Sequence, residues 1–129
     1  MLCIDVFEHV EDYYSFLRHL LRRGKAFVFH IPLDMNTQMV ARKKAISSVR
    51  EAVGHLHYFS KDTALAVLQE CGYSVDTWSY TPTGNERPSS LKQRLLKIPR
   101  KLSFKINENL TVRLMGGYSL IVYATDASA

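Results

Sequence analysis

Apolar and polar positions alternate in blocks along this chain, and the blocks change period as they go. Leu2-Cys3-Ile4-Asp5-Val6-Phe7 is a short apolar run of the kind shown by a strand buried on both faces. Glu11 and Asp12 follow, where a helix N-terminus favours negative charge, and Tyr13, Phe16, Leu17, Leu20 and Leu21 then recur at helical spacing up to Gly24. The run Ala26-Phe27-Val28-Phe29-His30-Ile31 is again continuous and is stopped by Pro32. Strand, helix and strand of these lengths make a βαβ unit, whose right-handed crossover sets the two strands parallel.

Further on, Met35 to Val53 is helix-prone, rich in Arg and Lys, and more weakly periodic. Ser60 is placed to cap a helix carrying Ala64, Leu65, Val67 and Leu68, which Cys71-Gly72 closes. Tyr73 to Tyr80 reads as a strand, and Thr81-Pro82-Thr83-Gly84-Asn85 as a loop. Ser89 and Ser90 can cap a short basic helix that Pro99 ends, and Tyr118 to Ala124 is the last strand. The order β-α-β-α-α-β-(α)-β predicts one α/β domain over residues 1–129, a sheet with helices on its faces in three layers.

Composition narrows this little. The 129 residues are 47% hydrophobic and 22% charged, which fits a globular domain and excludes a disordered or collagenous chain. No apolar run reaches the roughly 18–20 residues a membrane helix needs, and the acidic N-terminus is unlike a signal peptide. Cys3 and Cys71 lie in apolar surroundings without CxxC spacing and read as reduced residues of a cytoplasmic protein. The Asn109-Leu110-Thr111 sequon then has no consequence. The formal charge of +5 is unevenly spread, since Arg87–Lys105 holds seven bases and no acid. Such a segment engages nucleic acid or an anionic membrane surface, or it is a solvated helix face.

Two clusters carry candidate chemistry. Asp5, Glu8 and His9 fall at the carboxyl end of the first strand, where open α/β sheets bind ligands, although the same residues could simply satisfy helix N–H groups. Gly54-His55-Leu56-His57-Tyr58-Phe59 sets two histidines at i, i+2, which can chelate zinc but need a further ligand. His30 and Cys71 are conceivable additions that no spacing demands, so no metal is expected. None of the six glycines forms GxGxxG, GxxxxGK[ST] or GxSxG, so the chain holds no nucleotide-cradling loop and no nucleophile elbow.

Three stretches together resemble class I S-adenosylmethionine-dependent methyltransferases. Ile4-Asp5-Val6-Phe7-Glu8-His9-Val10 resembles the family's "D-x-[apolar]-E-H-[apolar]" stretch, which ends its fourth strand. Gly24-Lys25 with the following strand and Ile31-Pro32 is similar to its fifth strand. Gly54-His55-Leu56-His57-Tyr58-Phe59-Ser60, with Leu65, Leu68, Gly72 and Tyr73, resembles the segment leading to its sixth. Tyr118 to Ala124 would be the seventh strand, antiparallel to the others.

The resemblance implies the later half of a Rossmann-like sheet of parallel strands with a final antiparallel one. It implies S-adenosylmethionine as cofactor, bordered on its methionine side by Asp5, Phe7, Glu8 and His9. Pro32, Leu33 and Asp34 would face a methyl acceptor, and His9, His55 or His57 would serve if a base is needed. Segment 81–113 becomes a variable basic insertion before the last strand. The family's Gly-rich cofactor loop lies upstream of its E-H motif, so the chain is expected to be a truncated or split enzyme, inactive alone. Strand Leu2–Phe7 is then a bare apolar edge, expected to self-associate or to pair with the missing N-terminal half. The rivals are a basic binding module working through Arg87–Lys105 and a non-catalytic scaffold of the same fold.

Overall fold

The computed structural model describes the backbone of residues 1–82 and 91–128, and the side chains of all of these except 91–97. Loop residues 83–85, Arg87 and the caps at Ser89 and Ser90 lie outside the described residues. The chain forms a mixed α/β fold around a four-stranded sheet ordered β1-β2-β4-β3. Its strands are β1 Leu2–Ile4, β2 Ala26–Pro32, β3 Tyr73–Pro82 and β4 Tyr118–Asp126. β1 pairs parallel with β2, joining Leu2 to Val28 and Ile4 to His30. β4 lies between β2 and β3 and is antiparallel to both. Three strands therefore point one way, and the last in sequence runs against them.

The connecting helix α1, Tyr13–Leu21, starts where the acids promised. Asp12 is its cap and accepts from the Ser15 amide at 3.0 Å, and the Ser15 hydroxyl together with that amide holds its carboxyl below the usual range. Helix α4, Lys61–Glu70, is capped reciprocally by Ser60 and Thr63. Both helices deliver apolar side chains to one sheet face: Leu17, Ala64, Val67 and Leu68 meet Cys3, Phe27, Phe29, Ile31, Leu120, Val122 and Ala124. Tyr73 is buried among them, and its hydroxyl donates to the Leu17 carbonyl at 2.8 Å, so its polar end is satisfied. Cys3 and Cys71 are buried free thiols, and burial pushes the Cys3 thiol up to about 11.

Several boundaries differ from the sequence reading. β1 stops at Ile4, because Asp5 takes a left-handed φ of 49° and turns the chain into a 3-10 turn over Phe7–His9. The helix expected over Met35–Val53 is two: α2 Thr37–Ala41 and α3 Ala45–Val53. They break at Arg42-Lys43-Lys44, three cations that would crowd the positive N-terminus of α3. α5 runs Leu91–Ile106 through Pro99 instead of ending there. Proline in a helix interior removes one backbone bond. Tertiary anchors follow it here: the buried Arg100 donates to the Met115 carbonyl at 3.1 Å, and Phe104 stacks on Tyr118 at 4.9 Å. A sixth helix, α6 Glu108–Met115, is capped by Asn107 and was not foreseen.

The other sheet face differs from the three-layer expectation. By register it carries Leu2, Ile4, Val28, His30, Ile121 and Tyr123, and Leu2, Ile4 and Tyr123 are exposed. Among the described residues, the buried core lies on one face.

Candidate functional site

Because β1 and β2 are parallel, their carboxyl ends open at the same edge of the sheet. The turn after β1 and the loop Gly54–Phe59 meet there. Leu56 and His57 donate their amides to the Glu8 carbonyl at 2.8 and 3.1 Å, and His57 Nε2 donates to the Val10 carbonyl at 3.0 Å. Gly54 caps α3 with φ 76°, a conformation that favours glycine, and its carbonyl accepts from His9 Nδ1 at 3.0 Å. Four hydrogen bonds thus bind a turn to a loop far from it in sequence.

Within this knot Glu8, His9 and His55 converge, with one potential ligand atom of each within 4.8 Å of the others. Glu8 is 1% exposed and neither of its carboxylate oxygens has a hydrogen-bond partner. Burial pushes its carboxyl up from the usual range and Asp5 adds to this, while its own backbone amide, His9 and His55 oppose it. His9 Nε2 stands 3.9 Å from Glu8 Oε1, too far for a hydrogen bond. The His9 and His55 rings meet edge to face at 4.9 Å. His55 Nδ1 donates to Asp34 Oδ2 at 2.6 Å, which leaves its Nε2 with the lone pair.

The other sequence candidates are dispersed. Asp5 is exposed and accepts from His30 Nδ1 at 2.7 Å, while His30 Nε2 shares a hydrogen with Thr81 Oγ1. Phe7 is fully buried, against Phe59 at 5.1 Å and Phe29 at 6.3 Å. Pro32 ends β2 opposite Ser119, and Leu33 is core. Asp34 belongs to the cluster through His55. His57 points away to Val10, so the i, i+2 pair does not converge, and Cys71 lies instead beside Tyr14. Sequence spacing missed the partnership of Glu8 and His9 with His55, because only the fold joins the turn to the loop. Beyond Asp34 the chain borders a depression of about 380 Å³ lined by Met35, Asn36, Thr37, Val40, Ala41 and Arg113.

The basic segment presents a different surface. Arg100 is buried, whereas Lys101 and Lys105 are exposed. On the same helix Ile98, Leu102 and Ile106 recur every fourth position at 70%, 58% and 85% exposure, and Leu110 and Leu114 of α6 are also exposed. No helix among the described residues is long and apolar enough to cross a membrane.

No protein-family model and no curated protein matches this chain.

Proposed function

We propose that this chain carries the later half of an S-adenosylmethionine-dependent methyltransferase sheet, with its functional edge at the carboxyl ends of β1 and β2. The observation that carries the reading is the direction of the last strand. β4 runs against the other three, as the motif resemblance requires of the family's final strand. The resemblance assigned the E-H stretch and the strand-ending Pro32–Asp34 to the two sides of a transfer site, and both lie at one edge of the sheet. Methyl transfer is a displacement at a sulfonium carbon, which positioning and exclusion of water accelerate without covalent help from the protein. If the acceptor must lose a proton, His9 is the exposed histidine of the cluster, and its Nε2 carries the lone pair.

The exposed Leu2 and Ile4 on the edge strand support completion of this sheet by further strands, from an N-terminal half or a second copy. Calorimetric titration with S-adenosylhomocysteine tests the reading. Saturable binding is expected once further strands, from a second copy or an added N-terminal half, complete the cleft, and no heat up to millimolar ligand in that completed assembly contradicts it.

A second reading has its own observation. The exposed Ile98-Leu102-Ile106 ridge flanked by Lys101 and Lys105 is the pattern of a helix lying on an anionic membrane surface. Co-flotation with anionic but not zwitterionic vesicles, lost in Leu102→Glu, would support it. Equal indifference to both vesicle types would remove it.

A further inference from the structure

Glu8 is the one buried carboxylate among the described residues, and both of its oxygens lack partners. A fold rarely buries an unpaired acid without a use for it. Its neighbours indicate which use. Each nearby imidazole has its Nδ1–H held by a fixed acceptor, the Gly54 carbonyl for His9 and the Asp34 carboxylate for His55. Those two bonds set both rings in the tautomer with Nε2 unprotonated. Outer acceptors on a histidine's second nitrogen are the arrangement that orients metal-ligating imidazoles, and both common types, carbonyl and carboxylate, occur here.

We propose that Glu8, His9 and His55 form a binding site for a divalent first-row transition ion of zinc's class. Two borderline imidazole nitrogens beside one hard carboxylate favour zinc and its first-row neighbours over magnesium or calcium, which prefer all-oxygen sites. Metal–ligand bonds of about 2.1 Å in a tetrahedron put ligand atoms about 3.4 Å apart. His9 Nε2 and Glu8 Oε1 stand at 3.9 Å. That pair therefore closes by about 0.5 Å on binding, and the widest separation in the cluster, at most 4.8 Å, closes further by side-chain torsion. The ion would supply the buried carboxylate with the partner it lacks. Three protein ligands leave at least one position for water or an oxygen-bearing ligand, as catalytic rather than structural zinc sites do. The exposed His9 side of the cluster is the way in. The backbone bonds from Leu56 and His57 to Glu8, and the bond from the His57 side chain to the Val10 carbonyl, hold the ligands in place before the ion arrives. The site shares Glu8 and His9 with the proposed transfer edge, so an ion there would take the His9 Nε2 lone pair, and zinc binding is read out separately from S-adenosylhomocysteine binding.

The test is calorimetric titration of the chelator-treated, desalted chain with zinc chloride, repeated with cobalt(II) read by visible absorption. One zinc per chain is expected, undisturbed by millimolar magnesium. His9→Gln and Glu8→Gln should each weaken it at least tenfold. Asp34→Ala, which only frees the His55 ring, should weaken it about 10–100-fold. His19→Gln, at an exposed histidine bonded to its own helix, should leave it unchanged. Should Glu8→Gln fail to fold by circular dichroism, His9→Gln at the surface carries the test alone. No saturable zinc binding would overturn the proposal. So would zinc held equally by the His9, Glu8 and Asp34 variants, since it would then sit on other histidines.

Discussion

Replacing Glu8 by Gln keeps the shape of the side chain and removes its charge, and the sign of the effect depends on conditions. Without metal, the wild-type carboxylate is 1% exposed and has no hydrogen-bond partner. An unsatisfied buried acceptor costs about 1–3 kcal/mol, and more if charged. Gln still buries unpaired polar atoms, so the gain is the charged excess, at least about 1 kcal/mol, or roughly 4 °C in Tm for a domain of this size. The pH dependence follows from linkage. The folded carboxyl titrates above its ordinary value of 4.5, so between those two values the folded state holds the extra proton. The contribution of Glu8 to wild-type stability is therefore greatest below 4.5 and is lost as pH rises through the folded value, whereas the variant has no such loss. The gap between them opens with rising pH.

Zinc reverses the order. At a hundredfold excess over its dissociation constant it adds about 2.7 kcal/mol to the wild type and far less to the variant. Urea unfolding at pH 5 and pH 8, with chelator and with zinc, reads all four arms. A variant less stable than wild type in chelator at pH 8, or a gap indifferent to pH, would refute the claim that this carboxylate is buried without a partner.

Four further outcomes are expected. Leu17→Ala removes a fully buried side chain between α1 and the sheet and should cost about 2–5 kcal/mol in chemical denaturation. Gly116→Ala forces a side chain into a position with φ 61°, its Cβ within 2.6 Å of Asn36, whose side chain also caps α2. It should lower Tm by several degrees, and an unchanged Tm would mean that Asn36 gives way freely. Ser60→Ala deletes the reciprocal cap of α4 and should cost about 1 kcal/mol by urea unfolding. Sedimentation at micromolar concentration should show self-association that Leu2→Lys reduces, whereas a monomer throughout would mean that the exposed edge needs no partner from its own kind.

Elements whose residues determine their own conformation were legible in the sequence. β2 was, because a continuous apolar run stopped by proline has few alternatives. So were α1 and α4, whose caps at Asp12 and Ser60 act within one turn. What depended on distant contacts was not. Pro99 signals a helix end locally, yet Arg100 and Phe104 anchor the helix beyond it. The signal for α6 was present in Asn107, Glu108 and Gly116, but the segment read as a variable insertion.

At the candidate site, spacing identified Asp5, Glu8 and His9 as one cluster and His55 and His57 as another. The fold recombines them. The left-handed Asp5 turns Phe7 and Glu8 inward, and Gly54 brings His55 beside them while His57 turns to Val10. Neither event has a one-dimensional period, so no pattern in the sequence could have announced it.

The most direct measurement is a map of amide chemical shifts in the isotope-labelled chain during titration with S-adenosylhomocysteine. Shifts concentrated on Asp5–His9 and on Leu33 and Asp34, at the shared carboxyl edge of β1 and β2, are the expected result. Shifts centred on α5 and α6 would contradict it.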